Sequence, residues 1–250
     1  MSRFFKTVSL VIVSWVLSTS ANAADQIKWS YDGETGPAHW AELGTAFLAC
    51  SGQQQSPVEL RSTTAIAADV PSIFINLQQF APDVINDSHK IEVVPQGDGG
   101  SVTYDGLDYS FLNVHFHMAS DHQVDGQSFP MEAHFVHRSN AGNLVVFGVL
   151  FIQGQSSATL QTILDSAPKQ EGRASSSDII DLMQLIPIDT RFFRYRGSLA
   201  TPPCSENVTW HVFKLPVEAS KAQLDNFARL YSDNHRPLQE LNRRYILEGK

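Results

Sequence analysis

The sequence predicts a mainly β (α+β) fold, with one mostly antiparallel central sheet in a single domain and short peripheral helices. Strand-like runs rich in Val, Ile, Phe and Tyr dominate the middle of the 250-residue chain. Helical patterns are few and short, and they do not alternate with the strands as parallel βαβ units require. No stretch has the composition of an interdomain linker, and no internal repeat is visible.

The first 23 residues have the three parts of a signal peptide. Arg3 and Lys6 form a positive region, residues 7–18 are mostly apolar, and Ala21–Ala23 is a small-x-small cleavage site. About a dozen apolar residues are too few to span a bilayer, which needs roughly 20. We therefore expect cleavage after Ala23, a single domain over residues 24–250, a periplasmic or secreted location and no membrane partner. An uncleaved membrane anchor is the weaker alternative.

Strand-like runs separated by turn signals follow through the middle of the chain. The turn signals include Asp105-Gly106 and Asp125-Gly126. One run, Leu144–Ile152, is apolar almost throughout, which predicts a central strand covered on both faces. The predicted strands are Ser72–Leu77, Lys90–Val94, Ser101–Tyr104, Tyr109–Met118, Glu132–His137 and Leu144–Ile152.

Three short helical patterns complete the set of elements. Leu160, Ile163 and Leu164 have helical spacing behind a serine cap at position 156 or 157. Residues 179–183 suggest a second short helix. Ser220 followed by Gln223 resembles a capping box before a third helix.

Charge and cysteine content limit the class of protein. The chain carries 26 acidic and 18 basic residues, which argues against a nucleic-acid partner because such proteins need a basic face. Cys50 and Cys204 are the only cysteines, and an exported protein meets conditions that favour their pairing. Two buried free thiols are the alternative.

A cluster of histidines predicts a metal site. His115 and His117 stand two residues apart in a predicted strand, so both imidazoles project from the same face. A neighbouring strand supplies a third histidine, and spacing alone leaves His134 and His137 both open. Three neutral imidazoles with one open position make a catalytic zinc site. The residues suited to hold the outer nitrogens of such ligands are Asn113, His122 and Glu132.

Several separate motifs, in the same order along the chain, make the sequence resemble an α-class carbonic anhydrase of the bacterial periplasmic type. The resemblance covers nearly all of the chain after the predicted cleavage site. The motifs are Gly36-Pro37-Ala38-His39-Trp40, Gln55-Ser56-Pro57, Val114-His115-Phe116-His117, Glu132-Ala133-His134-Phe135-Val136-His137, Gly197–Cys204 and Asn234-His235-Arg236-Pro237.

The resemblance implies a large twisted sheet, a conical cleft, and reversible hydration of carbon dioxide to bicarbonate and a proton by zinc-bound hydroxide. It selects His115, His117 and His134 as the ligands of a Zn2+ cofactor. It also implies a Cys50–Cys204 bridge and small-molecule partners, carbon dioxide and bicarbonate, and it leaves a homodimer open. The implied apolar wall for carbon dioxide comprises Val124, Val136, Val146, Leu199, Val208 and Trp210. The implied proton shuttle is His89, and the implied water-ordering residues are Tyr31 and Asn86.

Two departures from the family pattern fall on one functional unit. Ala200 stands where the family has a threonine that orients the attacking hydroxide, and Asp121 stands where it has the glutamate that holds this threonine. Thr201 is adjacent to the lost hydroxyl. Losing one oriented hydrogen bond at a transition state typically costs about a hundred- to a thousandfold in rate. Two hypotheses follow. The chain is a zinc carbonic anhydrase of reduced or altered efficiency, or it is a diverged zinc protein that has a binding role or acts on another carbonyl or ester substrate.

Overall fold

One 13-stranded mixed sheet forms the centre of the computed structural model, which describes residues 27–249. The predicted signal peptide lies outside the described residues. In chain order the strands are β1 (Glu59–Leu60), β2 (Ile66–Ala67), β3 (Ile73–Leu77), β4 (Pro82–Asn86), β5 (Ile91–Pro95), β6 (Gly100–Tyr104), β7 (Leu107–His117), β8 (Gln123–Val124), β9 (Met131–Arg138), β10 (Leu144–Gln153), β11 (Gly172–Ser175), β12 (Phe192–Gly197), β13 (Val208–Phe213), β14 (Val217–Ala219) and β15 (Leu247–Gly249).

The sheet runs in the order β11-β4-β5-β7-β9-β10-β13-β12-β15-β2; β14 lies beside β10, β6 beside β7, and β3 beside β6. Most neighbouring strands are antiparallel, as predicted. The central pair β10–β13 is parallel, and β11 and β12 of the same sheet lie between them in the chain. β1 and β8 form a separate two-stranded sheet.

The six predicted strands are confirmed as β3, β5, β6, β7, β9 and β10, with ends shifted by at most two residues. Asp105 and Gly106 both have positive φ, 52° and 72°, which is the backbone that a tight turn between β6 and β7 requires. Nine strands have no counterpart among the sequence predictions: β1, β2, β4, β8, β11, β12, β13, β14 and β15. For β13, the β-branched and aromatic residues of Val208–Phe213 were the available signal.

Two of the three predicted helices are confirmed. Helix α1 (Ala158–Ser166) begins after Ser157, whose side chain accepts from the Leu160 amide. Helix α2 (Lys221–Leu230) begins at the capping box of Ser220 and Gln223. The predicted helix at 179–183 is wrong. Ile180 instead forms a β-bridge with Phe80, and only a 3-10 turn, Leu182–Leu185, follows it.

Further 3-10 turns precede the sheet, at Gly33–Thr35, Trp40–Glu42 and Thr45–Ser51. Cys50, in the last of these, forms the predicted disulfide with Cys204, and the two cysteines pack beside Trp40 and Phe47. The bridge ties the N-terminal turns to the loop that follows β12. None of the helices in residues 27–249 has the length and hydropathy of a membrane span.

Alternation along the central strands separates two apolar layers. On β7 and β9, Val114, Phe116, Ala133 and Phe135 face the larger layer, which includes residues of α1 and α2. Phe116 contacts Phe227 of α2 with ring centroids 4.7 Å apart. The opposite face of these strands carries His115, His117, Glu132 and His134, together with the smaller apolar layer around Val136 and Trp210. The candidate site lies on this second face.

Candidate metal centre

Three imidazoles converge where β7 and β9 pair. His115 lies directly opposite His134 in the antiparallel register. One ring nitrogen from each of His115, His117 and His134 lies within 4.8 Å of the other two. His137, the alternative third histidine, lies on the other face of β9, where its ring packs against Phe111 and Phe147. The strand register therefore places His134, not His137, beside the other two.

In each imidazole, one ring nitrogen points toward the other two rings (the inner nitrogen) and the other points away from them (the outer nitrogen). A hydrogen-bond acceptor lies beside each outer nitrogen. His115 Nδ1 is 2.9 Å from Asn113 Oδ1, and His117 Nδ1 is 2.8 Å from the Asn234 carbonyl oxygen. His134 Nε2 is 2.9 Å from Glu132 Oε1. Each acceptor takes the ring N–H, so the inner nitrogen of each ring keeps a free lone pair.

The donor set fits a zinc ion. Three imidazole nitrogens are the ligands that a catalytic zinc prefers. His117 Nε2 is buried and has no hydrogen-bond partner within residues 27–249, which is what a metal ligand looks like without its metal. Burial lowers the pKa of His117 to about 4. Burial, and to a smaller extent the positive charge of nearby Lys90, holds the pKa of His115 well below its ordinary value. Both rings are thus neutral at pH 7, the form that binds metal.

A buried carboxylate supports the third imidazole from behind. Glu132 accepts from the His122 amide at 2.8 Å and lies 2.7 Å from His122 Nδ1. Burial alone would raise the pKa of Glu132, but His122 and His134 hold it well below its usual range. A Cβ on Gly148 would lie 2.8 Å from Glu132 Oε1, so the glycine on β10 leaves the carboxylate its space. His122, Glu132 and His134 satisfy one another, which makes them a hydrogen-bonded network rather than a second metal site.

Glu132→Gln should lower zinc affinity about 10- to 100-fold, because outer partners of this kind typically contribute that much. The amide retains the shape of the side chain but loses the charge that the two imidazoles face. Competition with a chelator would measure the affinity. Glu59→Gln, at a partly exposed glutamate paired with Arg61, is the matched control and should leave zinc affinity unchanged. An unaltered affinity in Glu132→Gln would remove the supporting role.

The structure collects the six predicted wall residues into one apolar cluster. Val136, Val146, Val208 and Trp210 belong to its buried part, and Val124 and Leu199 pack against it. The Trp210 ring lies 4.7 Å from the His134 ring, centroid to centroid. An apolar surface therefore borders the three imidazoles.

Besides His117 Nε2, the buried polar atoms with no hydrogen-bond partner among the described residues include Asp121 Oδ2 and the Tyr31 hydroxyl. Asp121 Oδ1 accepts from the Arg236 amide at 2.7 Å, whereas Oδ2 lies 3.5 Å from His117 Nδ1. Burial, and then the charge of Asp121, raise the pKa of Tyr31 well above its ordinary value. Ala200 is buried and offers no side-chain polar group. Thr201, next to it, is half-buried.

His89 stacks on Trp29, with ring centroids 3.8 Å apart and planes 13° from parallel. Its Nε2 lies 2.9 Å from the Trp29 carbonyl oxygen, and its Nδ1 lies 3.2 Å from that of Asp87. A proton relay through this ring therefore requires it to leave one of these contacts. Asn86 is a correction to the sequence analysis: its amide bonds the Pro168 carbonyl and the Tyr231 hydroxyl, so it is not free to order water in the cleft.

Sequence reasoning missed three residues that hold this site together. Asn234 accepts from His117 and donates to the carbonyls of His89 and Phe116. The Arg236 guanidinium bonds Gln55 and the Cys50 and Ser56 carbonyls. The Tyr195 hydroxyl lies 2.7 Å from His122 Nε2 and 2.9 Å from Ser56 Oγ. The motifs around Gln55 and Asn234 were the available signal for the first two, since they meet in space.

Comparison with known proteins agrees with this geometry. Residues 35–249 match the family model described as eukaryotic-type carbonic anhydrase. A carbonic anhydrase of Nostoc sp. is 41% identical over 92% of this chain and 89% of its own length. One from Neisseria gonorrhoeae is 35% identical over 99% of this chain and 100% of its own. The structure of the α-carbonic anhydrase of Thermovibrio ammonificans with the inhibitor sulfanilamide has a TM-score of 0.84 and 39% identity, covering 88% of this chain and 99% of that one.

Proposed function

Because the chain belongs to the eukaryotic-type carbonic anhydrase family, we propose that it catalyses reversible hydration of carbon dioxide to bicarbonate with a zinc cofactor held by His115, His117 and His134. The observation that carries the proposal is the convergence of these three imidazoles, each oriented from behind, against an apolar wall. A zinc ion in such a site lowers the pKa of bound water to about 7 and so supplies hydroxide at neutral pH.

The residues around the imidazoles provide the substrate surface and fix the orientation of the rings. The wall of Val136, Val146 and Trp210 excludes water and offers an apolar substrate a place beside the imidazoles. Asn113, Glu132 and the Asn234 carbonyl fix the ring orientations, so little reorganisation is needed when the reaction occurs. Dielectric screening in this buried pocket is weak, which strengthens those contacts.

The rate we propose is lower than such a scaffold can support, because the group that orients the attacking oxygen is incomplete. Ala200 has no hydroxyl to accept from that oxygen. Asp121 keeps its contact with the Arg236 amide, but its Oδ2 has no partner within the described part of the chain. A missing oriented hydrogen bond of this type costs about a hundred- to a thousandfold in rate. A water that bridges Asp121 Oδ2 and the reacting oxygen would recover part of this loss.

Stopped-flow carbon dioxide hydration between pH 6 and 9 tests the proposal, with zinc content measured on the same oxidised sample. We expect turnover that needs zinc, rises with pH near 7 and is blocked by sulfanilamide. No rate above that of the buffer at one zinc per chain would reject it. Binding of a larger carbonyl compound would then favour the alternative of a repurposed zinc site.

We also propose His89 as the group that carries the proton out of the site. His89→Ala should lower turnover about tenfold or more in weak buffer, since positioned proton transfer typically contributes about 10²–10⁴-fold. Added imidazole buffer should restore most of the loss. His39→Ala, at an exposed histidine paired with Glu42, is the control and should behave as the wild type. Equal turnover of both variants at low buffer would mean that protons leave by another route.

Location is a further part of the proposal. The signal-like N-terminus and the Cys50–Cys204 disulfide both support export to an oxidising compartment such as the periplasm. Intact-mass measurement of protein recovered from the periplasmic fraction of a bacterial host would show whether cleavage follows Ala23.

A further inference from the structure

A cavity of about 800 Å³ lies outside the metal centre and is lined by four arginines, Arg194, Arg196, Arg243 and Arg244. Gln53, Gln54 and Asn242 add neutral polar side chains, and no Asp or Glu lines it. The chain as a whole carries 26 acidic and only 18 basic residues. Four of its arginines therefore line a single cavity in an otherwise acidic protein.

These four arginines have no carboxylate partner. Within residues 27–249 none has a carboxylate oxygen within 4.0 Å, whereas Arg61, Arg173 and Arg191 are each paired with an acidic side chain. Arg196 and Arg243 are exposed, and their guanidinium groups donate no hydrogen bond to any other described residue. The fork of both side chains is thus free to bind a ligand.

The other two arginines are held in place around the cavity. Arg244 donates to the carbonyls of Leu241, Arg196 and Glu240, and its guanidinium lies 5.7 Å from the centre of the Tyr195 ring. The Arg194 guanidinium lies 5.6 Å from the centre of the Tyr104 ring. Contacts of this kind fix the positions of the charges before any ligand arrives, which lowers the entropy that binding costs.

Strand pairing leaves room for the cavity at the edge of the sheet. β15 pairs with β12 only at Phe192–Arg194, so the segment from Tyr195 to Gly197 has no strand beside it on that side. Tyr195 separates the cavity from the metal centre, because its ring faces Arg244 while its hydroxyl bonds His122. The cavity is therefore a different site from the one that holds the three imidazoles.

Arginines that line one cavity carry like charges, and such charges repel unless an anion lies between them. An anion that enters the cavity removes this repulsion. Arginine forks bind phosphate oxygens in pairs, and a volume of this size suits a small molecule. We infer that this cavity is a binding site for a small anion that carries more than one phosphate group, with Arg196 and Arg243 as its main contacts.

Isothermal titration of the zinc-loaded, oxidised protein with inorganic pyrophosphate tests the inference, in the presence of sulfanilamide to keep the ligand away from the metal. We expect one pyrophosphate per chain, bound at least tenfold more tightly than orthophosphate at the same ionic strength. The double variant Arg196→Ala/Arg243→Ala should weaken binding at least tenfold. Neither side chain holds another residue, so the variant should fold, and its thermal unfolding would check this.

Arg138→Ala is the matched control, because Arg138 is also exposed and unpaired among the described residues but lies at the end of β9 away from the cavity. It should change pyrophosphate affinity less than twofold. Failure of the wild type to bind pyrophosphate at millimolar concentration would overturn the inference. So would an equal loss of affinity in Arg138→Ala and the double variant, since that would reflect net charge alone. Neither result depends on whether the chain hydrates carbon dioxide.

Discussion

Replacing His134 with alanine should remove zinc and lower carbon dioxide hydration by more than about a hundredfold, beyond the 10- to 100-fold that loss of an outer partner costs. The change deletes one of three nitrogens that lie within 4.8 Å of one another. It also leaves Glu132 without one of the two imidazoles that stabilise its charge. Zinc content by atomic emission and turnover by stopped flow would measure both effects.

His137→Ala is the control for this experiment. His134 and His137 lie on the same strand, three residues apart, and both are fully buried. Both variants therefore leave a cavity of the same size in β9, and both should lower stability. Only His134→Ala should lose zinc, because the His137 ring faces Phe111 and Phe147 on the opposite face. Zinc loss in His137→Ala, with retention in His134→Ala, would reverse the assignment.

His134 and His137 also show what strand periodicity can predict and what it cannot. Alternation along one strand tells which residues share a face, so it places His115 with His117 and separates His134 from His137. It does not tell which face of β9 meets the histidine face of β7. That depends on register, which is set by the whole sheet: His115 pairs with His134. The family resemblance indicates the same residue independently of the register.

Local signals predicted local structure well. The capping box at Ser220 and the turn at Asp105-Gly106 involve neighbours in sequence, and both are confirmed. The supports of the metal centre are different. His117 is held by Asn234, 117 positions away, and His122 by Tyr195, 73 positions away. No pattern in one segment encodes such a pair, because the contact exists only after the sheet has formed.

The contacts of Asn86 differ from those that the family resemblance implies. Asn86 was expected to order water because it precedes His89 in a family-like segment. In the structure it is the last residue of β4, and its amide is taken by Pro168 and Tyr231. Asn86 Oδ1 also accepts from the Ser88 amide, and Asp87, the next residue, accepts from the His89 and Lys90 amides. Position in a turn decides where a short polar side chain points, and the sequence alone did not resolve it.

Restoring both halves of the orienting pair should raise turnover about a hundredfold or more, the typical value of one oriented hydrogen bond at a transition state. Ala200→Thr alone should give only a small gain, since the added hydroxyl lacks a carboxylate at the right distance. Asp121→Glu alone should give none, because no hydroxyl is there to hold. The double variant Ala200→Thr/Asp121→Glu should exceed the product of the two single effects, and stopped-flow turnover of all four proteins measures the coupling.

Asp121 is the reason for expecting coupling rather than two independent gains. Its Oδ1 is tied to the Arg236 amide at 2.7 Å, and its Oδ2 has no partner among residues 27–249. One more methylene moves the whole carboxylate further from the backbone, so that it can reach a hydroxyl added at position 200. Strictly multiplicative effects would show that the two positions act separately.

A variant at Thr201 tests whether the orienting hydroxyl is absent from the site or is supplied by Thr201. It is adjacent to Ala200 and half-buried, and its hydroxyl makes no hydrogen bond to another described residue. If the site has no orienting hydroxyl, Thr201→Val should change turnover less than about twofold, since no such bond is removed. A hundredfold loss would instead mean that Thr201 has taken over the orienting role. In that case Ala200→Thr would add nothing, even beside Asp121→Glu, because the reacting oxygen would already have its acceptor.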